Sequence, residues 1–412
     1  MALTLRRFHV AESLRDSEKP RLCRGVSLGE TDLRDKVSAI GRTATTNRYV
    51  FQRSAPERLN TRPPQRQRKM SLLRTMVVGV GALGKHHARI LAGMDGVDLV
   101  AVADPREDIG RQVAADFDAD WVPDFRSAIA RVDAAAIVVP TSMHLAVASE
   151  FLQRGLPVLV EKPLTASVTE ARQLVDLARK HDAILQVGHV ERFNPAMQVA
   201  RNYCSRPRYI RAERVSPFPF RSTDIGVVHD LLIHDLDLVL SLVSSPVESV
   251  EAVGTQVISH HEDVVNVRLR FRNGCIADLT ASRVNPTAHR RMQIWSKAQS
   301  VSIDFHTREV VTYTPDESLL NGVSPVDLAV QPGANVEQLK QDIFGRFIQV
   351  EQPQVSDADA LTAELAEFTH CIRTGQTPTC DGVAALAAVE LAERVLQSLA
   401  SNSWGQQSAE AA

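Results

Sequence analysis

Residues 75–91, TMVVGVGALGKHHARIL, decide the fold. An apolar run rich in β-branched residues leads into three glycines in GxGxxG spacing, and a helical segment follows them. Such glycines make a tight turn, let the backbone approach a pyrophosphate and pack the helix on the strand, with the phosphates at the helix N-terminus. The predicted dinucleotide contacts of this turn are Gly79, Gly81, Ala82, Leu83 and Gly84. A glycine-rich turn that binds no nucleotide is the alternative interpretation.

A second predicted strand, VDLVAVADP at residues 97–105, ends in Asp104, about twenty residues beyond the last glycine. A carboxylate at that position would accept hydrogen bonds from the adenosine ribose hydroxyls. Asp104 therefore favours NAD as the cofactor, whereas Arg106 close behind it leaves NADP open.

Strands and helices continue to alternate, with a helix at 110–117, a strand at 134–140, a helix from about residue 144 and a strand at 157–163. This order predicts a doubly wound parallel sheet, in which ligands bind beyond the carboxyl ends of the strands. The predicted cofactor contacts at those ends are Pro140, Thr141, His144, Glu161 and Lys162. Lys162 would lie at the nicotinamide end, and a solvated surface lysine is the alternative.

The segment VVHDLLIHDLD at 227–237 has the apolar density of a buried helix but carries a stripe of ionisable side chains. At about 100° per residue, Asp230, His234 and Asp237 fall within roughly 60° of one another. Burying such groups without partners is costly, so the stripe should face other polar groups, a cleft or a ligand. It is therefore either a structural ion cluster or an active site.

With GVGALGKHH, EKP at 161–163 and HDLLIHDLD in chain order, residues 71–400 resemble the glucose-fructose oxidoreductase and inositol dehydrogenase (Gfo/Idh/MocA) family. The resemblance implies an NAD(P)-dependent oxidoreductase acting on CH–OH groups, with Lys162, Asp230 and His234 as its catalytic group. His234 would accept the hydroxyl proton, and Lys162 would orient the hydroxyl and stabilise negative charge on its oxygen. Asp230 would fix the imidazole or hold a neighbouring hydroxyl.

Within this family, VGHVERFNPA at 187–196 and LTASR at 279–283 look most similar to bacterial dehydrogenases that oxidise the sugar 3-hydroxyl of UDP-N-acetylglucosamine or of its uronic acid. The substrate contacts that the resemblance implies are His189, Arg192, Asn194, Asp230, His234 and Arg283. An arginine-rich run offers further contacts to a diphosphate, namely Arg206, Arg208, Arg211, Arg214 and Arg221. Exposed strand faces are the alternative for most of these arginines.

No metal site is expected, because Asp230 and His234 lack an evident third and fourth ligand.

Beyond residue 190, strand-like runs dominate, and turns such as FRNGC at 271–275 predict a large, mostly antiparallel sheet. One face would pack on helices and the other would meet another subunit, giving a homodimer or homotetramer. Two late helices near 357–374 and 382–400 should return to cover the sheet and the first domain, and 316–338 is predicted to be a loop. The predicted domains are a Rossmann domain at 70–190, an α+β substrate-binding and oligomerisation domain at 191–400, and a disordered tail at 401–412.

The composition of the 412-residue chain, 44% hydrophobic and 23% charged, is ordinary for a globular protein. No apolar run approaches the roughly 20 residues of a membrane span and no signal-peptide core is present, so we expect a cytoplasmic protein without a membrane partner. The five cysteines form no CxxC pair, which argues against a disulfide framework and a zinc site. Residues 1–70 hold 16 Lys and Arg against 7 Asp and Glu, which leaves the rest net acidic and argues against nucleic-acid binding.

Residues 1–69 are rich in Arg, Ser, Thr and Pro and lack periodicity, so they are predicted to be a disordered basic extension. A functional basic tail, a transit peptide and sequence upstream of a misassigned start codon are three interpretations. Met70 stands just before the first strand, which favours the third interpretation and a protein that lacks residues 1–69.

The function that these features predict is NAD-dependent oxidation of a sugar hydroxyl, with a UDP-N-acetylated sugar as the preferred substrate. An inositol or free-hexose dehydrogenase is one alternative, and it would turn over its substrate without UDP. A catalytically silent dinucleotide-binding regulator on the same fold is another. The presence of Lys162, Asp230 and His234 together argues against a silent regulator.

Overall fold

The computed structural model describes residues 71–220 and 225–402. The predictions for residues 1–69 and 403–412 lie outside the described residues, as does Arg221. The last helix ends at Ser401, one residue beyond the predicted helix end and at the first residue of the predicted tail. No helix in the described ranges is long and apolar enough to cross a membrane.

The first sheet has six parallel strands in the order β3-β2-β1-β4-β5-β6. Its strands are β1 (Leu73–Val78), β2 (Val97–Ala103), β3 (Asp120–Val122), β4 (Ala134–Ile137), β5 (Val158–Glu161) and β6 (Leu185–Gly188). The chain runs outward in one direction from β1 to β3 and in the other from β4 to β6, so a crevice forms beyond the carboxyl ends of β1 and β4. The predicted doubly wound parallel sheet is confirmed.

Helices cover this sheet: α1 (Gly84–Ala92), α2 (Glu107–Asp116), α3 (His144–Leu152) and α4 (Val168–Lys180). Strands β4 and β5 are buried along their whole length, as strands covered on both faces must be. Helix α4 is amphipathic, with a Ser167 side chain that accepts from the Glu170 amide at its N-terminus. These helices bury the apolar strands and leave the crevice at the strand ends open.

The second sheet has eight strands in the order β14-β13-β12-β11-β7-β10-β9-β8. They are β7 (Tyr209–Val215), β8 (Val247–Thr255), β9 (Val264–Phe271), β10 (Ile276–Ser282), β11 (His289–Trp295), β12 (Ser300–Asp304), β13 (Glu309–Pro315) and β14 (Ile348–Glu351). All neighbours are antiparallel except β7 and β10, which pair in parallel. The predicted mostly antiparallel sheet is confirmed.

Side chains alternate along the second sheet, which gives it an inner and an outer face. In β9, Val265, Val267 and Leu269 are buried. Arg268 and Arg270, at the alternate positions, are exposed. The inner face packs on α5 (Pro195–Arg201), α6 (Ile233–Leu242) and α11 (Gly382–Ser401). The outer face is polar, and the predicted subunit contact through it stays a prediction.

Two late helices connect the sheets. Helix α10 (Ala360–Thr374) packs against α1, and α11 packs against α4, α6 and β8. Apolar residues of α11 therefore contribute to the cores of both sheets, as Ala385 and Val389 do in the first and Ala392 and Val395 do in the second. Leu361 of α10 also lines the crevice.

Residues 316–338, predicted to be a loop, belong instead to a helical excursion between β13 and β14. It holds three short helices, α7 (Glu317–Leu320), α8 (Pro325–Ala329) and α9 (Val336–Asp342). Each begins with a polar side chain, Asp316, Ser324 or Asn335, that accepts a hydrogen bond from a backbone amide of the first turn. These caps stabilise helices too short to show periodicity in the sequence.

Candidate active site

A cavity of ≈ 1030 Å³ opens at the carboxyl ends of the first sheet and extends to the N-terminal end of α6. This volume lies at the upper end of the range for ligand sites. The predicted cofactor and catalytic residues that line it are Gly79, Gly81, Leu83, Asp104, Pro140, Thr141, His144, Glu161, Lys162, Asp230 and His234. Ala82 and Gly84 belong to the same glycine turn but do not line the cavity.

The glycine turn has the shape that a dinucleotide requires. A Cβ on Gly84 would lie 1.9 Å from the Gly79 carbonyl oxygen, so only glycine allows this close approach of helix to strand. Gly79 has a φ of +85°, which side chains rarely adopt. At Gly81 the nearest atom to a Cβ would be Arg106 Nη2 at 3.5 Å, so the backbone there is open to the cavity. These features fit a pyrophosphate at the N-terminus of α1.

Asp104 follows β2 at the same end of the cavity. Its carboxylate accepts from the Val80 amide at 3.0 Å and from Arg106, which donates Nε to Oδ1 at 3.0 Å and Nη2 to Oδ2 at 2.9 Å. Burial alone would raise the pKa of Asp104, but hydrogen bonds from Arg106 and the backbone outweigh it and hold that pKa below its ordinary value. Asp104 is therefore an ionised acceptor at the position expected for a ribose contact.

His144 and Glu161 tie the strand ends together in the middle of the cavity. The ring nitrogens of His144 lie 3.0 Å from the carbonyl oxygens of Pro163 and Val139. Glu161 Oε1 lies 2.9 Å from His87 Nε2, and Oε2 accepts from the Lys162 amide at 3.2 Å. These contacts fix the backbone on both sides of Lys162.

Lys162, Asp230 and His234 meet at the other end of the cavity. The Lys162 ammonium donates to the Asp230 carbonyl at 2.7 Å and lies 3.7 Å from its carboxylate. Asp230 Oδ2 and His234 Nδ1 are buried and have no hydrogen-bond partner within the described ranges. Burial, and after it the charge of Lys162, hold the pKa of His234 well below its ordinary value, so the imidazole is neutral at neutral pH.

The turn that carries Asp230 is not a regular α-helix. Val228–Leu232 forms a π-helical turn, and α6 continues from Ile233. Such turns are frequent at functional sites because they displace side chains from the regular helical positions. The apolar pattern of the segment carried no sign of this irregularity.

The ionisable stripe of this segment divides between two roles. Asp230 and His234 line the cavity, whereas Asp237 is buried behind it and accepts from Arg192 Nε at 2.7 Å and Nη2 at 2.6 Å. The interpretation as a structural ion cluster therefore describes Asp237. The active-site interpretation of Asp230 and His234 stays a prediction.

Comparison with known proteins agrees with this architecture. A family model described as an oxidoreductase family with an NAD-binding Rossmann fold matches residues 73–189, and the GFO/IDH/MocA C-terminal domain model matches residues 199–302. The chain belongs to the GFO/IDH/MocA oxidoreductase family. The predicted family, the predicted enzyme class and NAD as the cofactor are thereby confirmed.

Several GFO/IDH/MocA relatives are named enzymes. UDP-N-acetylglucosamine 3-dehydrogenase of Acidithiobacillus ferrooxidans is 35% identical over 313 residues, which cover 76% of this chain and 92% of that protein. A crystal form of the same enzyme has a TM-score of 0.71 at 34% identity and covers 81% of this chain and 99% of that one. The NAD-dependent scyllo-inositol 2-dehydrogenase of Bacillus subtilis is 26% identical and covers 77% of this chain and 92% of that protein.

Four residues predicted to bind substrate do not line the cavity of this GFO/IDH/MocA protein. Arg192 donates to Asp237 and to the Thr379 carbonyl. Asn194 caps α5 and donates to Glu191 and the Phe305 carbonyl. Arg283 is fully buried and donates to Asp263 and the Ile225 carbonyl. His189, also buried, has Nδ1 3.9 Å from Asp237. Their roles as substrate contacts stay predictions.

His189, Asp237 and Cys380 form a buried group whose potential metal-ligand atoms lie within 4.8 Å of one another. Both carboxylate oxygens of Asp237 already accept hydrogen bonds from the cationic Arg192. This guanidinium supplies the positive charge that a metal ion would bring, so the geometry favours an ion pair at this position.

Sequence reasoning missed two polar residues that line the cavity, Glu191 and Arg290. Arg214, which the sequence offered as a diphosphate contact, also lines it. Arg214 is buried and donates to both oxygens of Asp235 and to Glu191. Burial would raise the pKa of Glu191, but the charge and hydrogen bond of Arg214, together with Arg290 and Asn194, outweigh burial and hold that pKa below its ordinary value. Arg206, Arg208 and Arg211 do not line the cavity. Their positions in the sequence could have revealed Arg214 and Arg290, because each arginine falls on the same strand face as apolar neighbours.

Proposed function

We propose that this protein is an NAD-dependent dehydrogenase that oxidises a secondary hydroxyl of a sugar, the 3-hydroxyl of a UDP-N-acetylated sugar in particular. The observation that carries the proposal is the meeting of Lys162, Asp230 and His234 at one end of a cavity whose other end is the glycine turn. A dinucleotide with its pyrophosphate at the glycine turn would bring its nicotinamide toward this proton acceptor and cation.

When bound, NAD supplies the hydride acceptor. Lys162 is a donor only, and its ammonium is held by the carbonyl and the carboxylate of Asp230. We infer that Lys162 donates to the substrate hydroxyl oxygen and stabilises the negative charge that develops there as the C–H bond breaks. The second carboxylate oxygen of Asp230 has no partner in the described structure, so it is available to a neighbouring sugar hydroxyl.

His234 acts as the general base. Its lowered pKa keeps the imidazole neutral and able to accept the hydroxyl proton at neutral pH. An imidazole is too weak a base to form a free alkoxide, so proton transfer accompanies loss of the hydride. The products are a keto sugar, NADH and the proton on His234.

The substrate class rests on the relatives. The UDP-N-acetylglucosamine 3-dehydrogenase is more similar to this chain than the scyllo-inositol dehydrogenase is, at 35% against 26% identity. The inositol relative supports the second candidate, oxidation of a free polyol. A catalytically silent regulator would bind NAD but turn over neither class of substrate.

The test is NADH formation by the full chain with UDP-N-acetylglucosamine, its uronic acid, free glucose and inositol in parallel. Lys162→Met and His234→Asn should each lower kcat by about 10²- to 10⁴-fold while NAD binding is retained. Lys180→Met and His370→Asn, at exposed positions on α4 and α10, are matched controls that should keep full activity. Turnover of inositol without UDP sugars would support the second candidate, and no turnover by a protein that binds NAD would support the regulator.

A further inference from the structure

Arg290 occupies an inward position of the second sheet, where its neighbours are apolar. In β11 the side chains of Met292 and Ile294 share its face and are buried in the core. The side chain of Arg290 is nevertheless 51% exposed, and it lines the cavity. A cation that is exposed at an inward strand position faces the cavity and not the outer surface of the sheet.

Arg214 lies directly across from Arg290 in the register of β7 and β11, but its environment differs. Its guanidinium is buried and engages Asp235 and Glu191, with 2.7 Å to Glu191 Oε1. Arg290 Nη1 lies 3.4 Å from that same oxygen. Within the described part of the chain, Glu191 is the one ion-pair partner of Arg290. Arg290 therefore shares an acid that is already paired, and most of its donors face the cavity.

Arg290 also belongs to the reacting end of the cavity. Its charge contributes to the lowered pKa of His234, which places the guanidinium within electrostatic reach of the imidazole. Arg106, by contrast, lies at the glycine-turn end and is paired with Asp104. A group attached to the sugar beside His234 would meet Arg290, not Arg106.

We propose that Arg290 binds an anionic group attached to the substrate sugar, and so selects charged sugar derivatives over neutral polyols. The inference rests on the proposed function and names the residue that determines its substrate class. The guanidinium fork matches both the diphosphate of a nucleotide sugar and the carboxylate of a uronic acid. A neutral polyol offers no charge to Arg290 and gains little from it. Glu191 keeps its shorter contact with Arg214 when the substrate engages Arg290.

The experiment compares Arg290→Met and Arg290→Lys with Arg291→Met. Arg291 is the next residue of β11, faces outward, is 63% exposed and pairs with Asp304, so its substitution makes the same change on the opposite face. Activity is measured with UDP-N-acetylglucosamine, its uronic acid, free N-acetylglucosamine and inositol. Binding of UDP itself is measured by isothermal titration calorimetry on the NAD-loaded protein, as a readout that does not require turnover.

Arg290→Met should lower kcat/KM for UDP-N-acetylglucosamine about 10- to 100-fold, mainly through KM, because a hydrogen-bonded charge contact is lost. It should weaken UDP binding to a similar degree, with Arg290→Lys intermediate and Arg291→Met close to wild type. Equal losses for both UDP sugars identify the diphosphate as the bound anion, whereas a loss confined to the uronic acid identifies the carboxylate.

Two results would overturn this inference while the proposed function stands. One is that the wild-type enzyme oxidises UDP sugars and the Arg290→Met variant has the same KM for these sugars as the wild type. The other is an equal loss in Arg290→Met and Arg291→Met, which would mean that only overall charge matters. A wild-type enzyme that oxidises neutral polyols alone overturns the UDP-sugar proposal and this inference together.

Discussion

Arg106 binds the carboxylate of Asp104 in a bidentate manner, with its two hydrogen bonds at 3.0 and 2.9 Å. The side chain of Asp104 is buried, whereas that of Arg106 is 54% exposed. At the end of β2, next to the glycine turn, this pair presents an ionised carboxylate to a ribose and places a guanidinium beside it. The negative charge disfavours a 2′-phosphate, and the arginine is neutralised by the same carboxylate.

Asp104→Ala should therefore lower kcat/KM for NAD about 10-fold or more and narrow the preference for NAD over NADP, because Arg106 is then unpaired and can meet a phosphate. The measurement is kcat/KM with each cofactor, supported by cofactor binding followed by fluorescence. Asp133→Ala removes a carboxylate that is paired with Arg74 outside the cavity. This control should change neither kcat/KM for NAD nor the preference for NAD over NADP. An unchanged cofactor ratio in Asp104→Ala would show that this carboxylate does not select the cofactor.

The lowered pKa of His234 predicts the pH dependence of oxidation. A general base must be unprotonated, and a pKa below the ordinary value of about 6.5 keeps it so at lower pH. The value of kcat/KM should thus stay level as the pH falls through 6.5 and decline only at lower pH. Arg290→Met removes one of the charges that lower this pKa, so the decline should begin at higher pH, whereas Arg291→Met should not move it. A decline that begins at or above 6.5 in the wild type would contradict the assignment of His234 as a base of lowered pKa.

Gly84→Ala should disrupt the cofactor site. Its Cβ would lie 1.9 Å from the Gly79 carbonyl oxygen, so helix α1 must move away from β1. We expect a loss of about 1–3 kcal/mol in the free energy of unfolding and at least a 10-fold weaker affinity for NAD. Gly93→Ala, at the other end of α1, places a Cβ 3.5 Å from its nearest neighbour, which is ordinary contact, and should bind NAD normally. Equilibrium denaturation and NAD titration of both variants decide the matter.

Arg214→Met should destabilise the second domain strongly. It leaves Asp235 and Glu191 buried without their shared cation, and breaking a buried ion pair in this way costs about 3–5 kcal/mol. Arg268→Met removes an exposed arginine paired with Asp278 on the outer face and should leave the unfolding midpoint nearly unchanged. Equal midpoints for the two variants in urea denaturation would show that the buried network contributes no more than a surface pair.

Local patterns in the sequence were sufficient to predict the first sheet and the main group of polar residues that meet in the cavity. The glycine spacing, the alternation of strands and helices and the strand-end positions of Asp104 and Lys162 each depend on neighbours close in the chain. The same holds for Asp230 and His234, which are four residues apart in one helical segment. Spacing along an element limits which side chains can share a face, so these features can be predicted without knowing what the element packs against, even though the turn at Asp230 is π-helical.

Only the tertiary structure decided which polar residues meet the cavity. Arg192 and Asp237 lie 45 residues apart, and their pairing behind the cavity depends on how α6 packs against the turn Val190–Phe193 that follows β6. The parallel pairing of β7 with β10 and the exposure of Arg290 at an inward position likewise depend on contacts between distant segments. Strand alternation assigns Arg214 and Arg290 to one face of the sheet. Only the packed sheets show that a cavity lies over that face. They also show that Arg214 is paired, whereas Arg290 is half exposed. Periodicity is a property of one element, whereas a cavity is a property of several elements packed together.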